Sequence, residues 1–156
     1  MNLPAELQSI TRVSVFGLAR SGTAAVRLLK RSGLEVHAVN EGAVETWIGR
    51  DGLDQVLTTE FCHSQTEAAD VFAKSQLIIL SPGIPTTHAV LQKALGLGVP
   101  MVSEIELAYW FTKSVPVIAI TGTNGKTTTT TMIAESLKLA GKKVFCGGNI
   151  GIPYCE

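Results

Sequence analysis

Residues 121–128 read Thr-Gly-Thr-Asn-Gly-Lys-Thr-Thr, a combination suited to phosphate chemistry. Glycines let the backbone curl so that several N–H groups converge on an anion. Lys126 can meet the charge of β- and γ-phosphates, and the Thr127 hydroxyl can bind Mg²⁺. The segment departs from the strict GxxxxGK[ST] pattern, because Ile120 stands at the first glycine position. Strand, loop, Gly-Lys-Thr and helix nevertheless follow in the required order, and the reading is an ATP phosphate loop built from Gly122, Thr123, Asn124, Gly125, Lys126, Thr127 and Thr128. Thr129 to Thr131 read as packing or exposed helix surface.

Three further motifs are rich in small residues. Gly17-Leu18-Ala19-Arg20-Ser21-Gly22 lies between an apolar strand and a helix, where a nucleotide or phosphate can meet free N–H groups. It is not GxGxxG, since Ala19 replaces the middle glycine, and Asn40 followed by Glu41 stands where an acidic ribose partner is expected. That weakens NAD as the ligand. Ser81-Pro82-Gly83-Ile84-Pro85 ends a buried strand, at the edge where ligands of open α/β sheets sit. Gly147-Gly148-Asn149-Ile150-Gly151-Ile152-Pro153 suits a close-approach loop, with Asn149 able both to donate and to accept. His37, His63 and His88 are isolated and have no metal-ligand spacing.

The elements that must position these loops alternate. Strands are expected at 13–16, 35–39, 77–80, 101–102, 117–120 and 143–146; helices are expected at 23–31, 86–97, from Ser103 onward, and at 126–140. Ser103-Glu104-Ile105-Glu106 is a capping box. A weaker helix is expected around Val44–Ile48, with a turn at Asp51-Gly52. Such alternation predicts an α/β fold, a Rossmann-like doubly wound and mostly parallel sheet. The polar stretch Thr112 to Pro116 marks a boundary. It divides a first domain, 1–112, from 113–156, the first strand, P-loop and helix of a second, truncated domain.

Composition agrees. Of 156 residues, 46% are hydrophobic and 17% charged, enough apolar matter for a sizeable core. Thirteen basic side chains balance thirteen acidic ones, so no global field points at nucleic acid. Residues 113–156 hold five basic and two acidic side chains, a local bias that suits an anion. Cys62, Cys146 and Cys155 form no CxxC pair and read as reduced thiols. The N-terminal stretch lacks the apolar region of a signal peptide, and no run is long enough to span a membrane. A cytoplasmic protein is expected.

Together, GLARSG, SPGIP, SEIELAY, ITGTNGKTTTT and GGNIGIP, in this order over essentially the whole chain, resemble the Mur ligase family of peptidoglycan biosynthesis. The TGTNGKT loop is shared with folylpolyglutamate synthetase, whereas SPGIP with GGNIGIP favours the D-glutamate-adding activity. The resemblance implies three domains, of which this chain would hold the UDP-binding domain (1–112) and the opening of the central ATP-binding domain (113–156). It implies an ATP-dependent ligase that phosphorylates the carboxylate of UDP-N-acetylmuramoyl-L-alanine and joins the acyl phosphate to D-glutamate. Lys126 and Thr127 would be catalytic, with Mg²⁺ on Thr127. Arg20, Ser21, Asn40, Glu41 and Gly83 would line the UDP site, and Asn149 would contact the substrate between domains. Asn40 and Gly42 depart from an Asp-x-Arg pattern seen in some members. The family's remaining Mg²⁺ ligands, modified lysine and D-glutamate site are absent from these residues, so the fragment by itself is expected to be inactive. The full-length enzyme would be monomeric. The fragment would either dimerise through the 126–140 helix or be disordered beyond about Pro116. The alternatives are a sibling ligase or folylpolyglutamate synthetase, a stand-alone nucleotide-binding module, and an NAD-dependent oxidoreductase, which would leave the Gly-Lys-Thr loop unexplained.

Overall fold

A computed structural model describes residues 3–47, 50–148 and 151–156. Five strands, β1 (Arg12–Phe16), β2 (Glu35–Asn40), β3 (Cys62–Ser64), β4 (Leu77–Leu80) and β5 (Met101–Ser103), form one sheet in the order β3-β2-β1-β4-β5. Every pairing is parallel. Val13 lies opposite Val36 on one side and Leu77 on the other, so β1 is the central strand. The chain winds from β1 out to β3, then returns to the other side of β1 with β4. The direction of winding therefore reverses between β1 and β4.

Six α-helices accompany the strands: α1 (Arg20–Arg31), α2 (Val44–Trp47), α3 (Ala68–Ala73), α4 (Gln92–Gly96), α5 (Glu104–Thr112) and α6 (Lys126–Leu139). Successive side chains of a strand face opposite ways, so a strand covered on both sides can be apolar throughout. Leu77 to Leu80 shows this. Leu77 and Ile79 join Val13, Val15, Val36 and Ala38 beneath Ala25 and Leu29 of α1 and Leu107 of α5. Ile78 and Leu80 join Phe16 and Val39 beneath Phe72 of α3 and Leu91 and Ala94 near α4. One polar contact interrupts the second layer. Ser75 donates to the Val71 carbonyl, so the Ser14 hydroxyl, 2.6 Å away, donates to Ser75.

Several expectations need correction. The 86–97 helix is shorter: a 3-10 turn at Ala89–Leu91 leads into α4. Only half of the capping box forms. Ser103 Oγ accepts from the Glu106 N–H at 3.2 Å, but the Glu106 carboxylate accepts from Trp110 Nε1 instead. Strand β3 and helix α3 are additional elements, and Arg50–Gln55 is a 3-10 helix rather than a simple turn. The expected strands at 117–120 and 143–146 do not form, although α6 does. A helix closes its hydrogen bonds within itself, whereas a parallel strand needs neighbours. Among the described residues, no strand pairs with either segment. Val117 and Ile118 are exposed, and Ala134 is the only buried residue of α6.

All three cysteines are free. Burial pushes the Cys62 thiol up to about 11, so it stays protonated at neutral pH. The histidines are less isolated than their spacing suggests. His37 Nε2 lies 2.7 Å from Glu35 Oε1, and His37 Nδ1 lies 2.9 Å from His63 Nε2. A carboxylate only accepts, so His37 Nε2 is the donor to Glu35, while His37 Nδ1 shares a hydrogen bond with His63 Nε2. Burial, followed by the charge of His37, holds His63 below the ordinary histidine value. The His37 hydrogen bond holds Glu35 below the ordinary carboxylate value. Both shifts have the same sign consequence. Within each titration range the unfolded chain binds more protons than the folded one, so stability falls with acidification. Melting temperature is expected to drop as pH falls below about 6.5, the unperturbed histidine value, and to drop further below about 4.3, where unfolded glutamates protonate. Thermal melts of the parent and of His63→Gln should differ in the first interval, with the variant flat there. Parallel curves would remove His63 from this account.

Candidate functional site

The reversal between β1 and β4 leaves their two following loops diverging, which opens a cleft at the carboxyl edge of the sheet. The cleft has a volume of about 560 Å³. Arg20, Ser21, Asn40, Glu41 and Gly83, the five described residues expected to line a nucleotide site, all line it, with Phe16, Gly17, Leu18, Ala19, Ser81, Pro82 and Ile84. The sixth, Asn149, lies outside the described residues.

Two glycines make this geometry possible. Gly17 is left-handed, at φ 87°, and turns the chain from β1 towards α1. Its N–H donates to the Val39 carbonyl at 2.9 Å. Its carbonyl accepts from Ser81 Oγ at 2.6 Å, which ties the two loops together across the cleft floor. Gly22, in the first turn of α1, approaches that same carbonyl. A Cβ there would lie 1.8 Å from Gly17 O and 2.6 Å from Ser81 Oγ. No residue with a side chain fits.

The start of α1 is poised for an anion. Its N-cap is Ala19, which offers no side-chain acceptor, and the first turn carries no acidic residue. Among the described residues, the backbone N–H groups of Arg20, Ser21 and Gly22 have no acceptor. These three donors, the partial positive charge of the helix end and the Arg20 guanidinium all favour a phosphate or diphosphate. Glu41 adds an acceptor for hydroxyl groups. Asn40 has a dual position: its Oδ1 accepts from the Leu18 N–H at 3.1 Å, fixing the glycine loop, and its Nδ2 remains as a donor. The sequence motif singled out Gly83 in SPGIP, but it missed Ser81, whose hydroxyl holds the loops together. Its place at the end of a buried strand, facing a glycine loop, was the available signal.

The Gly122–Thr128 loop forms a separate, exposed feature before α6. Gly125 is the helix N-cap, in the left-handed region at φ 76°. Lys126 bends over the loop, donating from Nζ to the Gly122 carbonyl and to the Thr123 carbonyl, the latter at 3.3 Å. The Thr130 hydroxyl turns back to the Lys126 carbonyl at 2.8 Å. The Thr127 hydroxyl has no partner among the described residues.

Comparison with known sequences decides the family. Residues 11–103 match the Mur ligase MurD-like N-terminal domain, and residues 120–154 match the Mur ligase middle domain. The chain belongs to the Mur ligase family. Similar curated proteins named UDP-N-acetylmuramoylalanine--D-glutamate ligase include one from Caldicellulosiruptor bescii, 43% identical over 146 residues, and one from Streptococcus uberis, 43% identical over 148 residues. These alignments cover 92% and 93% of this chain but 31% and 32% of the relatives, so this Mur ligase chain spans about a third of their length. The fold is also that of solved Mur ligases. A UDP-N-acetylmuramate–alanine ligase from Thermotoga maritima matches with a TM-score of 0.52 at 24% identity, covering 89% of this chain and 32% of that one. A UDP-N-acetylmuramate:L-alanyl-gamma-D-glutamyl-meso-diaminopimelate ligase from Neisseria meningitides matches with a TM-score of 0.52 at 20% identity, covering 93% and 46%.

The close approach of Gly22 to Gly17 yields a test within this Mur ligase chain. Gly22→Ala is expected to destabilise the fold by about 3 kcal/mol, the upper range for forcing an extra methyl into packed space. Ser21→Ala, on the neighbouring half-buried position, whose hydroxyl makes no hydrogen bond among the described residues, should leave stability within about 0.5 kcal/mol. Denaturant titration measures both, and equal stability of the two variants would contradict the packing described.

Proposed function

We propose that this chain carries the UDP-binding domain (1–112) and the start of the ATP-binding domain (113–156) of an ATP-dependent ligase that adds D-glutamate to UDP-N-acetylmuramoyl-L-alanine in peptidoglycan biosynthesis. One observation carries the reading: the GLARSG and SPG loops meet in a single cleft at the reversal of the sheet, with uncapped helix N–H groups and Arg20 on its wall. That arrangement supports binding of a diphosphate. The names of relatives sharing 40–43% identity support the substrate and the reaction. A cytoplasmic location accords with that chemistry, and no helix among the described residues is long and apolar enough to cross a membrane.

In this reading the substrate carboxylate attacks the γ-phosphorus of ATP, the bond to the β-phosphate oxygen breaks, and an acyl phosphate and ADP form. The amine of D-glutamate then attacks the acyl carbon and loses a proton, and the tetrahedral intermediate expels inorganic phosphate. The first step needs neutralisation of charge on the moving phosphoryl group. Lys126 sits on a four-carbon stem at the mouth of a loop whose backbone can supply N–H donors from Gly122 to Gly125. Its contacts with the Gly122 and Thr123 carbonyls place its ammonium over the loop, where phosphates would lie. Asn124 and Thr128 would complete the loop's contacts with ATP. The Thr127 hydroxyl, exposed and without an internal partner, has the hard oxygen chemistry that suits Mg²⁺. Mg²⁺ held there would supply neutralisation of phosphate charge. Asn149 would approach the substrate between the domains. The substrate's sugar and peptide would extend from the cleft towards the ATP loop.

Two measurements test the proposal. Calorimetric titration of the 156-residue chain should show tighter binding of UDP or UDP-N-acetylmuramoyl-L-alanine than of NAD; equal or stronger NAD binding would overturn the UDP assignment. In the whole protein, Lys126→Ala should lower phosphate release by roughly 10²-fold or more, the usual effect of losing one preorganised charge contact. UDP-substrate affinity should stay near its original value, and Lys126→Arg should not restore full rate, because a planar fork does not replace a compact ammonium. Near-normal turnover of Lys126→Ala would remove this loop from catalysis.

A further inference from the structure

His88 does not line the cleft at the sheet's carboxyl edge, yet three contacts converge on its half-buried ring. It is the N-cap of the Ala89–Leu91 turn, where its Nδ1 accepts from the Val90 N–H at 3.4 Å. An Nδ1 that accepts leaves the proton of a neutral imidazole on Nε2. That nitrogen lies 3.3 Å from the side-chain amide of Gln65, in the connection between β3 and α3. Turned so that its oxygen faces His88, the Gln65 amide accepts from that N–H. The ring also stands edge-on against Phe16, at 88° with centroids 5.2 Å apart, an arrangement that aromatic rings favour.

The surroundings give these contacts a consequence for the cleft. Phe16 is the last residue of β1, is fully buried and lines the cleft, and its ring sits between His88 and Phe72 of α3. Ser81 to Ile84 line the same cleft. They begin a loop of two successive turns, in which the Ile84 N–H donates to the Ser81 carbonyl and the His88 N–H to the Pro85 carbonyl, each at 3.0 Å. The near end of the loop is fixed by Ser81 Oγ on the Gly17 carbonyl. Between the two ends Pro82, Gly83, Pro85, Thr86 and Thr87 are exposed. Ile84 alone packs inward, its Cγ1 3.1 Å from where a Cβ on Gly17 would lie. The far end of the loop is His88, and its ring joins the loop to β1 through Phe16 and to the start of α3 through Gln65.

We infer that His88 is a positioning residue: by closing over Phe16 and reaching Gln65 it pins the far end of the 81–88 loop, and so holds Ser81, Gly83 and Ile84 in place along the cleft. That the cleft takes a UDP group rests on the ligase reading above; the pin does not. A second tie, the exposed ion pair of Lys93 and Asp70 at 2.6 Å, joins α4 to α3 without touching the loop, so Lys93→Ala loosens the same two helices and leaves the pin intact.

The test uses the 156-residue chain, held well below its melting temperature, and two readouts. UDP affinity should fall about tenfold in His88→Ala, the loss of hydrogen bonds that hold the wall, and should stay at the parental value in Lys93→Ala. His88→Asn keeps a favoured N-cap acceptor for the Val90 N–H but is too short to cover Phe16 or reach Gln65. It should restore slow amide exchange at Val90 while UDP affinity stays about as low as in His88→Ala. Exchange at Ile84 and at residue 88, whose N–H groups close the two turns, should quicken about tenfold in both His88 variants and remain parental in Lys93→Ala. Should His88→Ala not fold, Gln65→Ala removes one partner of the ring and must lower UDP affinity about threefold. Parental affinity in His88→Ala, full recovery in His88→Asn, or an equal loss in Lys93→Ala would overturn the inference. If UDP does not bind the parent chain, the ligase reading fails, and exchange at Ile84 and residue 88 still decides whether His88 pins the loop.

Discussion

The contact between the first turn of α1 and the Gly17 carbonyl governs the cleft. Gly17 must turn left-handed, Gly22 must lack a side chain, and Ser81 must reach across to the same carbonyl oxygen. These demands set the distance between the helix start and the β4 loop. If the helix stood a methyl group further away, its N–H groups would no longer face the space that Asn40, Glu41 and Gly83 enclose. Asn40 adds a bond from the second strand to the Leu18 amide, so three strands converge on one short loop. The rigidity of the cleft comes from a few hydrogen bonds made within a close-packed neighbourhood, with the apolar layers on either face of the sheet as its foundation.

How much of this was legible in the sequence depended on the range of the interactions involved. Leu77 to Leu80 announced itself because a strand buried on both faces can be apolar throughout, and Val13 to Phe16 because Ser14 alone interrupts its apolar run. Cys62-His63-Ser64 did not, because three residues carry too little pattern and its pairing with β2 is what makes it a strand. The residues of the cleft at the carboxyl edge of the sheet were readable as motifs, and the structure brings the described ones together. The ties among them were not readable. Ser81 and Gly17 are 64 residues apart, and nothing local reveals their bond. Glu104 reads locally as part of a helix cap, whereas its bond to Cys155 spans 51 residues.

The segment after residue 112 shows the same division from the opposite side. Lys126–Leu139 is helical even though almost none of it is buried. Its hydrogen bonds are intrinsic to the segment, and the Gly125 turn starts it. Val117 to Ile120 has the apolar, β-branched composition of a strand but no partner among the described strands, so no strand forms, and Val117 to Ala119 stay exposed. Composition gave it a preference that only a neighbouring strand can realise.

The position of β1 has a consequence for the order in which the protein is made. Of the five strands of the sheet the central one is made before the others, and its two neighbours arrive at different times: Val36 follows Val13 closely, whereas Leu77 lies 64 residues later in the chain. Until β4 has left the ribosome, one whole side of an apolar strand offers unpaired amides and carbonyls to any other nascent chain. Ser14 lies in the middle of that open edge and finds its hydroxyl partner, Ser75, two residues before β4 begins. A polar group at this point makes the unfinished edge less welcoming to a hydrophobic strand from another chain, and its satisfaction coincides with the arrival of the strand that closes the edge.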